Sequence, residues 1–76
     1  MARIFGSATR GDGSKVNGTA TVSTSWNSNQ AVPRNGEYSL ELGSDPKGRI
    51  TVYVDGMIYR ADFMVKGDTH LDIRLR

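Results

Sequence analysis

His70 is the only imidazole in the sequence, and there is no cysteine. Nucleophilic chemistry is therefore limited to a serine acting with His70 and an aspartate, in the Ser–His–Asp manner. No serine stands in a G-x-S-x-G elbow. His70 itself lies between Thr69 and Leu71, in the outward phase of an alternating segment, and reads as a solvated surface side chain. Asp62 and Asp72 are the carboxylates nearest to an acid–base couple, but each fits an ordinary cross-strand charge pair. The expectation is that the chain is not an enzyme.

Asp12, Asp45, Asp55 and Asp68 all stand in Gly-rich turns, where calcium draws its oxygen ligands. The D-x-[DN]-x-[DN]-G spacing is missing, and aspartate beside glycine is already accounted for by turn geometry. Gly11-Asp12-Gly13-Ser14 opens no strand–loop–helix unit, so it is not a phosphate cradle. Arg10-Gly11-Asp12 spells the integrin tripeptide, and Asn17-Gly18-Thr19 is a glycosylation acceptor only in a secreted chain; both read first as polar turns. No metal or cofactor is expected.

Arginines outnumber lysines seven to three, and arginine suits phosphate and carboxylate forks. Arg49, Arg60 and Arg74 fall in outward phases near Tyr53, a composition that a nucleic-acid platform would share. Asp62 and Asp72 interleave with them, however, and a formal net charge of +2 is a weak field for phosphate binding. Nucleic acid is not the expected partner.

These residues must be positioned by short strands. Nine glycines, mostly beside Asp, Asn or Ser, punctuate runs that alternate apolar and polar residues, and no stretch repeats apolar residues at helical spacing. Strands are expected at 3–9, 19–26, 30–33 (short and weak), 37–42, 49–54, 57–65 and 69–75, in a single domain over residues 1–76. The expected core is Ile4, Ala8, Val22, Tyr38, Leu40, Leu42, Ile50, Val52, Val54, Tyr59, Phe63, Val65, Leu71, Ile73 and Leu75. A two-residue Asp55-Gly56 turn pairs Val54 with Met57, Val52 with Tyr59 and Ile50 with Ala61, and sets Arg49 opposite Asp62. After it, a two-residue Gly67-Asp68 loop would set Phe63 against Asp72, so a loop of odd length is expected there. No apolar run approaches the roughly 18 residues of a membrane span. Met1-Ala2-Arg3 leads into a strand without a signal peptide, so a cytoplasmic location is expected if Met1 is the natural start.

The order of these segments resembles a known family. Arg3-Ile4-Phe5-Gly6-Ser7-Ala8-Thr9, the turn through Asp12-Gly13 and Val16-Asn17-Gly18-Thr19 resemble the opening of a carboxypeptidase regulatory-like domain. Asn35-Gly36-Glu37-Tyr38-Ser39-Leu40 is similar to its "dGeYsl" segment. Arg49-Ile50-Thr51-Val52-Tyr53-Val54 with Asp55-Gly56-Met57 is similar to its central hairpin, and Thr69-His70-Leu71-Asp72-Ile73-Arg74-Leu75 to its final strand. The sequence departs at Lys15, where the family prefers proline, at Thr19 in place of alanine, and at Val22, one residue late, which points to a bulge in the second strand. The resemblance implies an all-β, seven-stranded Greek-key sandwich of the prealbumin-like kind, used as a non-catalytic module.

Phe5, Tyr53, Ile58 and Met64 fall out of phase with the core, and Arg60 and Arg74 neighbour them. If the first strand lies near the Asp55-Gly56 hairpin, these residues form one apolar patch with a polar rim, the composition of a protein interface. The expected function is a binding or assembly module that engages protein, a homodimer or a dedicated partner, through a sheet face or edge. Two alternatives stay open: a small basic nucleic-acid-binding domain, and a carbohydrate-binding or adhesive surface module using Trp26 and a tyrosine as a stacking platform.

Overall fold

The alternation of the sequence becomes two facing sheets. The computed structural model describes residues 2–75; Met1, on which the localisation expectation rests, and Arg76 lie outside the described residues. Eight strands and no helix are found among them: β1 (Ala2–Thr9), β2 (Val22–Thr24), β3 (Gln30–Ala31), β4 (Glu37–Gly43), β5 (Gly48–Val54), β6 (Met57–Val65), β7 (Asp68–His70) and β8 (Ile73–Arg74). No helix long and apolar enough to cross a membrane occurs among the described residues.

One sheet has the order β4-β1-β7, with β8 also on β1; the other has the order β3-β2-β5-β6. β1 runs antiparallel to β4, with Ile4 opposite Leu40 and Gly6 opposite Tyr38. Its other edge takes β7 and β8 in parallel, with Phe5 opposite His70 and Ala8 opposite Ile73. The strand expected at 69–75 is therefore interrupted. Between β7 and β8 the Leu71 N–H still donates to Phe5 O at 2.9 Å, and the Asp72 carboxylate replaces a backbone acceptor by taking the Ser7 N–H at 3.0 Å.

The core is what alternation requires of strands covered on one face. Ile4, Ala8, Tyr38, Leu40, Leu42, Leu71 and Ile73 from one sheet meet Val22, Ile50, Val52, Val54 and Val65 from the other, all buried. Ala2, Val16 and Ala20 join them without having been expected, and Tyr59, Phe63 and Leu75 are only partly buried against the cluster. Those three lie on β6 or just beyond β8, at the open side of the sandwich, where no further strand covers them. On the opposite side, the Asn27 and Asn29 side-chain amides donate to Leu42 O and Glu41 O, each at 3.0 Å, and fasten the loop after β2 to β4.

Three local expectations need correction. The Asp55-Gly56 turn has positive φ at both residues (53° and 79°), as a type I′ turn demands, and Val54 faces Met57. Beyond Tyr53–Ile58 the register slips twice: Val52 faces Arg60, Ile50 faces Phe63, and Arg49 faces Met64 rather than Asp62. β6 thus carries two extra residues, and Asp62 adopts φ 54° in this bulged stretch. Burial accounts for the slip, because it sets the Phe63 ring, rather than the Ala61 methyl, across from Ile50. The second correction is that β6 and β7 do not form a hairpin; Lys66 and Gly67 carry the chain from one sheet to the other. Third, the strand expected at 19–26 contracts to β2, with Ala20, Val22 and Thr24 inward and Trp26 already 41% exposed.

Candidate protein-binding face

β6 is the last strand of its sheet, and most of its apolar side chains do not enter the core. Met57 is 74%, Ile58 66% and Met64 53% exposed. Ile58 sits opposite Tyr53 and Met64 opposite Arg49, so both lie on the outer face, away from buried Val52 and Val54. Arg60 stacks its guanidinium 6.0 Å from the Phe63 ring centre. Met57, Ile58, Tyr59, Arg60, Arg74 and Leu75 line a shallow groove of about 590 Å³ along the open side.

Two polar contacts give this groove its floor. The Tyr59 hydroxyl reaches across to the other sheet, accepting the Arg74 N–H at 3.0 Å and donating to Asp72 O at 3.4 Å. The Arg74 guanidinium donates to Gly11 O at 3.0 Å, which holds it beside the groove. Of the residues expected to form one patch, Ile58, Arg60 and Arg74 line this groove and Tyr53, Ile58 and Met64 share the outer face of the β5–β6 pair, while Arg74 itself belongs to the other sheet.

Phe5 does not join them. β1 belongs to the other sheet, and Phe5 lies on its outer face, opposite Ser39 and His70. Its ring centre is 5.1 Å from the Arg3 guanidinium and 5.4 Å from the His70 ring. The four-residue patch anticipated from phase is therefore divided between opposite faces of the sandwich. Phase tells inside from outside; it does not tell which sheet a strand enters.

Around Phe5 lies a second cluster that alternation alone did not reveal. His70 Nε2 is 2.9 Å from Asp72 Oδ1, and the Ser7 N–H and hydroxyl both serve the same carboxylate. The aspartate stands between serine and histidine, whereas acyl-transfer chemistry needs the histidine in the middle to take the hydroxyl proton. Asp72 is instead a ladder acceptor. The Ser7 backbone N–H is the main cause that holds its carboxyl below the ordinary aspartate range, with the Ser7 hydroxyl and then His70 adding to it. Tyr38 nearby donates its hydroxyl to Leu71 O, and burial pushes that hydroxyl well above its usual pKa.

A pH dependence follows from Asp72. Its folded-state pKa is depressed, so its contribution is present above the unfolded aspartate value and is lost as pH falls through the lower folded value. Asp72→Asn is expected to flatten the acid limb of the unfolding midpoint plotted against pH. Thermal melts of both proteins across the acid range measure this, and parallel acid limbs would refute the role.

Each turn aspartate already has a partner in the fold. Asp12 accepts the Ser14 hydroxyl at 2.7 Å and its N–H at 2.9 Å, which lowers its pKa. Asp45 accepts Lys47 and Gly67 N–H groups, each at 3.0 Å, and Asp55 accepts the Thr21 N–H at 2.9 Å. Asp68 faces Arg3 at 3.5 Å. Among the described residues no three His, Asp or Glu side chains converge on one point. No protein-family model, no curated protein and no solved structure matches the chain.

Proposed function

We propose that the chain is a non-catalytic β-sandwich module, of the prealbumin-like Greek-key kind, that binds protein through the outer face and free edge of β6. The Greek-key reading is supported by the way each sheet interleaves strands distant in sequence, β4-β1-β7 and β3-β2-β5-β6, with a parallel β1–β7 pairing. Counting β7 and β8 as one interrupted strand along β1 makes seven. The binding reading is carried by one observation: the terminal strand of a sheet leaves Met57, Ile58 and Met64 each more than half exposed. An unpaired edge with apolar side chains is a template for another chain unless something covers it. Arg60 and Arg74 at the groove supply the polar margin that protein interfaces have.

Ile58→Asp tests this. Residue 58 is outside the core, so the variant is expected to fold with an unchanged melting temperature while losing association, read by light scattering across concentration and by capture of partners. Unchanged mass together with unchanged capture would refute the reading. In the same series, labelled single- and double-stranded oligonucleotides at low salt are expected to bind no tighter than micromolar; sub-micromolar affinity that falls steeply with salt would favour a nucleic-acid module instead.

A further inference from the structure

In chemical type, β6 reads the same from either end. About Ala61 at its centre, Arg60 mirrors Asp62, Tyr59 mirrors Phe63, Ile58 mirrors Met64 and Met57 mirrors Val65. An antiparallel pair of identical strands related by a two-fold axis sets residue i of one copy against its mirror residue in the other. With the axis at Ala61, each Arg60 would face the Asp62 of the other copy, two such pairs in all, aromatic would face aromatic, and apolar would face apolar. We propose that this chain forms a homodimer by antiparallel pairing of β6 with β6 of a second copy across a two-fold axis at Ala61, joining the two β3-β2-β5-β6 sheets edge to edge. The proposal rests on the reading of β6 as a protein-binding edge and names its occupant.

Three features of the structure fit that occupant. Among the described residues β6 is the end strand of its sheet, with β5 on one side and no strand paired on the other. Among the described residues the ion pairs are Arg3–Asp68 and His70–Asp72, and neither Arg60 nor Asp62 has an ionic partner there. The faces also agree. The two bulges of β6 each add one residue, so together they restore the phase: Ile58 and Met64 on either side of them are both on the outer face, opposite Tyr53 and Arg49. Tyr59 and Phe63 both pack against the core cluster. Pairing about Ala61 therefore sets Ile58 against Met64 on the outer face and Tyr59 against Phe63 on the core side, as a continuous sheet requires, while Arg60, across from Val52, and Asp62, at φ 54°, lie in the bulged stretch between these pairs. A bulged edge with charges near its middle can also serve to repel other strands, and the experiment separates these two uses of the same residues.

The test is sedimentation of the whole chain from micromolar to millimolar concentration, with charge reversals at the two mirror positions. Arg60→Asp and Asp62→Arg each turn two attractive contacts of the dimer into repulsive ones, and each is expected to weaken it at least about tenfold. Mixing the two variants makes every contact attractive again, so a dimer containing one copy of each should form where neither dimerises alone. Cross-linking gives a second reading. The chain has no cysteine, so Ala61→Cys places a lone thiol on the axis, expected to give a disulfide-linked dimer under mild oxidation, while Ser39→Cys on the other sheet does not. A dimer that Ile58→Asp dissociates, but that the charge variants leave intact and their mixture does not re-form, would overturn the two-fold register and leave the β6 face standing as the binding surface. A parent that stays monomeric throughout, with Ile58→Asp releasing a different captured protein, would overturn self-pairing alone. A parent that neither self-associates nor loses any captured protein on Ile58→Asp would overturn both readings.

Discussion

Gly6→Ala is expected to destabilise the fold by about 3 kcal/mol, a forced overpacking at the upper end of what such changes cost. Gly6 sits in the middle of β1, opposite Tyr38 on one side and against the Leu71–Asp72 interruption on the other. A Cβ at this position would collide with the Leu71 carbonyl oxygen and come within 2.9 Å of both the Leu71 carbonyl carbon and Asp72 Oδ1. None of these atoms can move cheaply. Leu71 is tied by its N–H to Phe5 O, its carbonyl accepts the Tyr38 hydroxyl, and Asp72 holds the Ser7 N–H. For a domain of this size the loss corresponds to a fall in Tm of about 12–24 °C. Gly43→Ala is the control, since a Cβ there meets nothing within 4 Å and only its φ of 75° is strained, a cost of about 1–2 kcal/mol. Thermal melts of the three proteins decide the point: equal losses for the two variants would mean that the close approach of β1 to Leu71 is not what Gly6 serves.

The same residue marks where the sequence was informative and where it stopped being so. Alternation over 37–42 and 50–54 placed Tyr38, Leu40, Leu42, Ile50, Val52 and Val54 inward, as they are, because a strand with one wet face must alternate. Asp55-Gly56 was legible because few residues accept two successive positive φ angles. The β6 register was not legible. Strict alternation would set Ala61 across from Ile50, and the gain from setting Phe63 there instead depends on the opposite sheet, which local pattern does not encode. The parallel contact of β1 with β7 joins residues about 65 apart, so no spacing rule could have brought His70, Asp72 and Ser7 together. For the candidate site the outcome is divided in the same way. That Ile58 and Met64 avoid the core followed from phase, whereas the separation of Phe5 from them followed only from which strands share a sheet. The mirror symmetry of residues 57–65 was present in the sequence throughout, but it acquires meaning only once β6 is known to be an edge.

Leu40→Ala and Ile58→Ala, measured side by side in dilute solution, test whether the proposed binding face and the core are separate. Leu40 is 1% exposed, faces Ile4 across β1–β4, and fills the centre of the sandwich. Truncating it removes buried methyl groups and leaves a cavity that the neighbouring strands can close only in part, an expected loss of about 2–5 kcal/mol. Ile58 is of similar size and hydrophobicity but 66% exposed, and its truncation is expected to change monomer stability by less than about 0.5 kcal/mol. The contrast matters because a thin sandwich without disulfides has every reason to recruit its large apolar side chains into the core. β6 withholds Met57, Ile58 and Met64 from it. If urea unfolding gives comparable losses for both variants, β6 is core after all, and the case for a binding edge collapses. If only Leu40→Ala is costly, the stability of the folded chain does not explain why residue 58 is an isoleucine, and covering that side chain is left to the proposed partner strand.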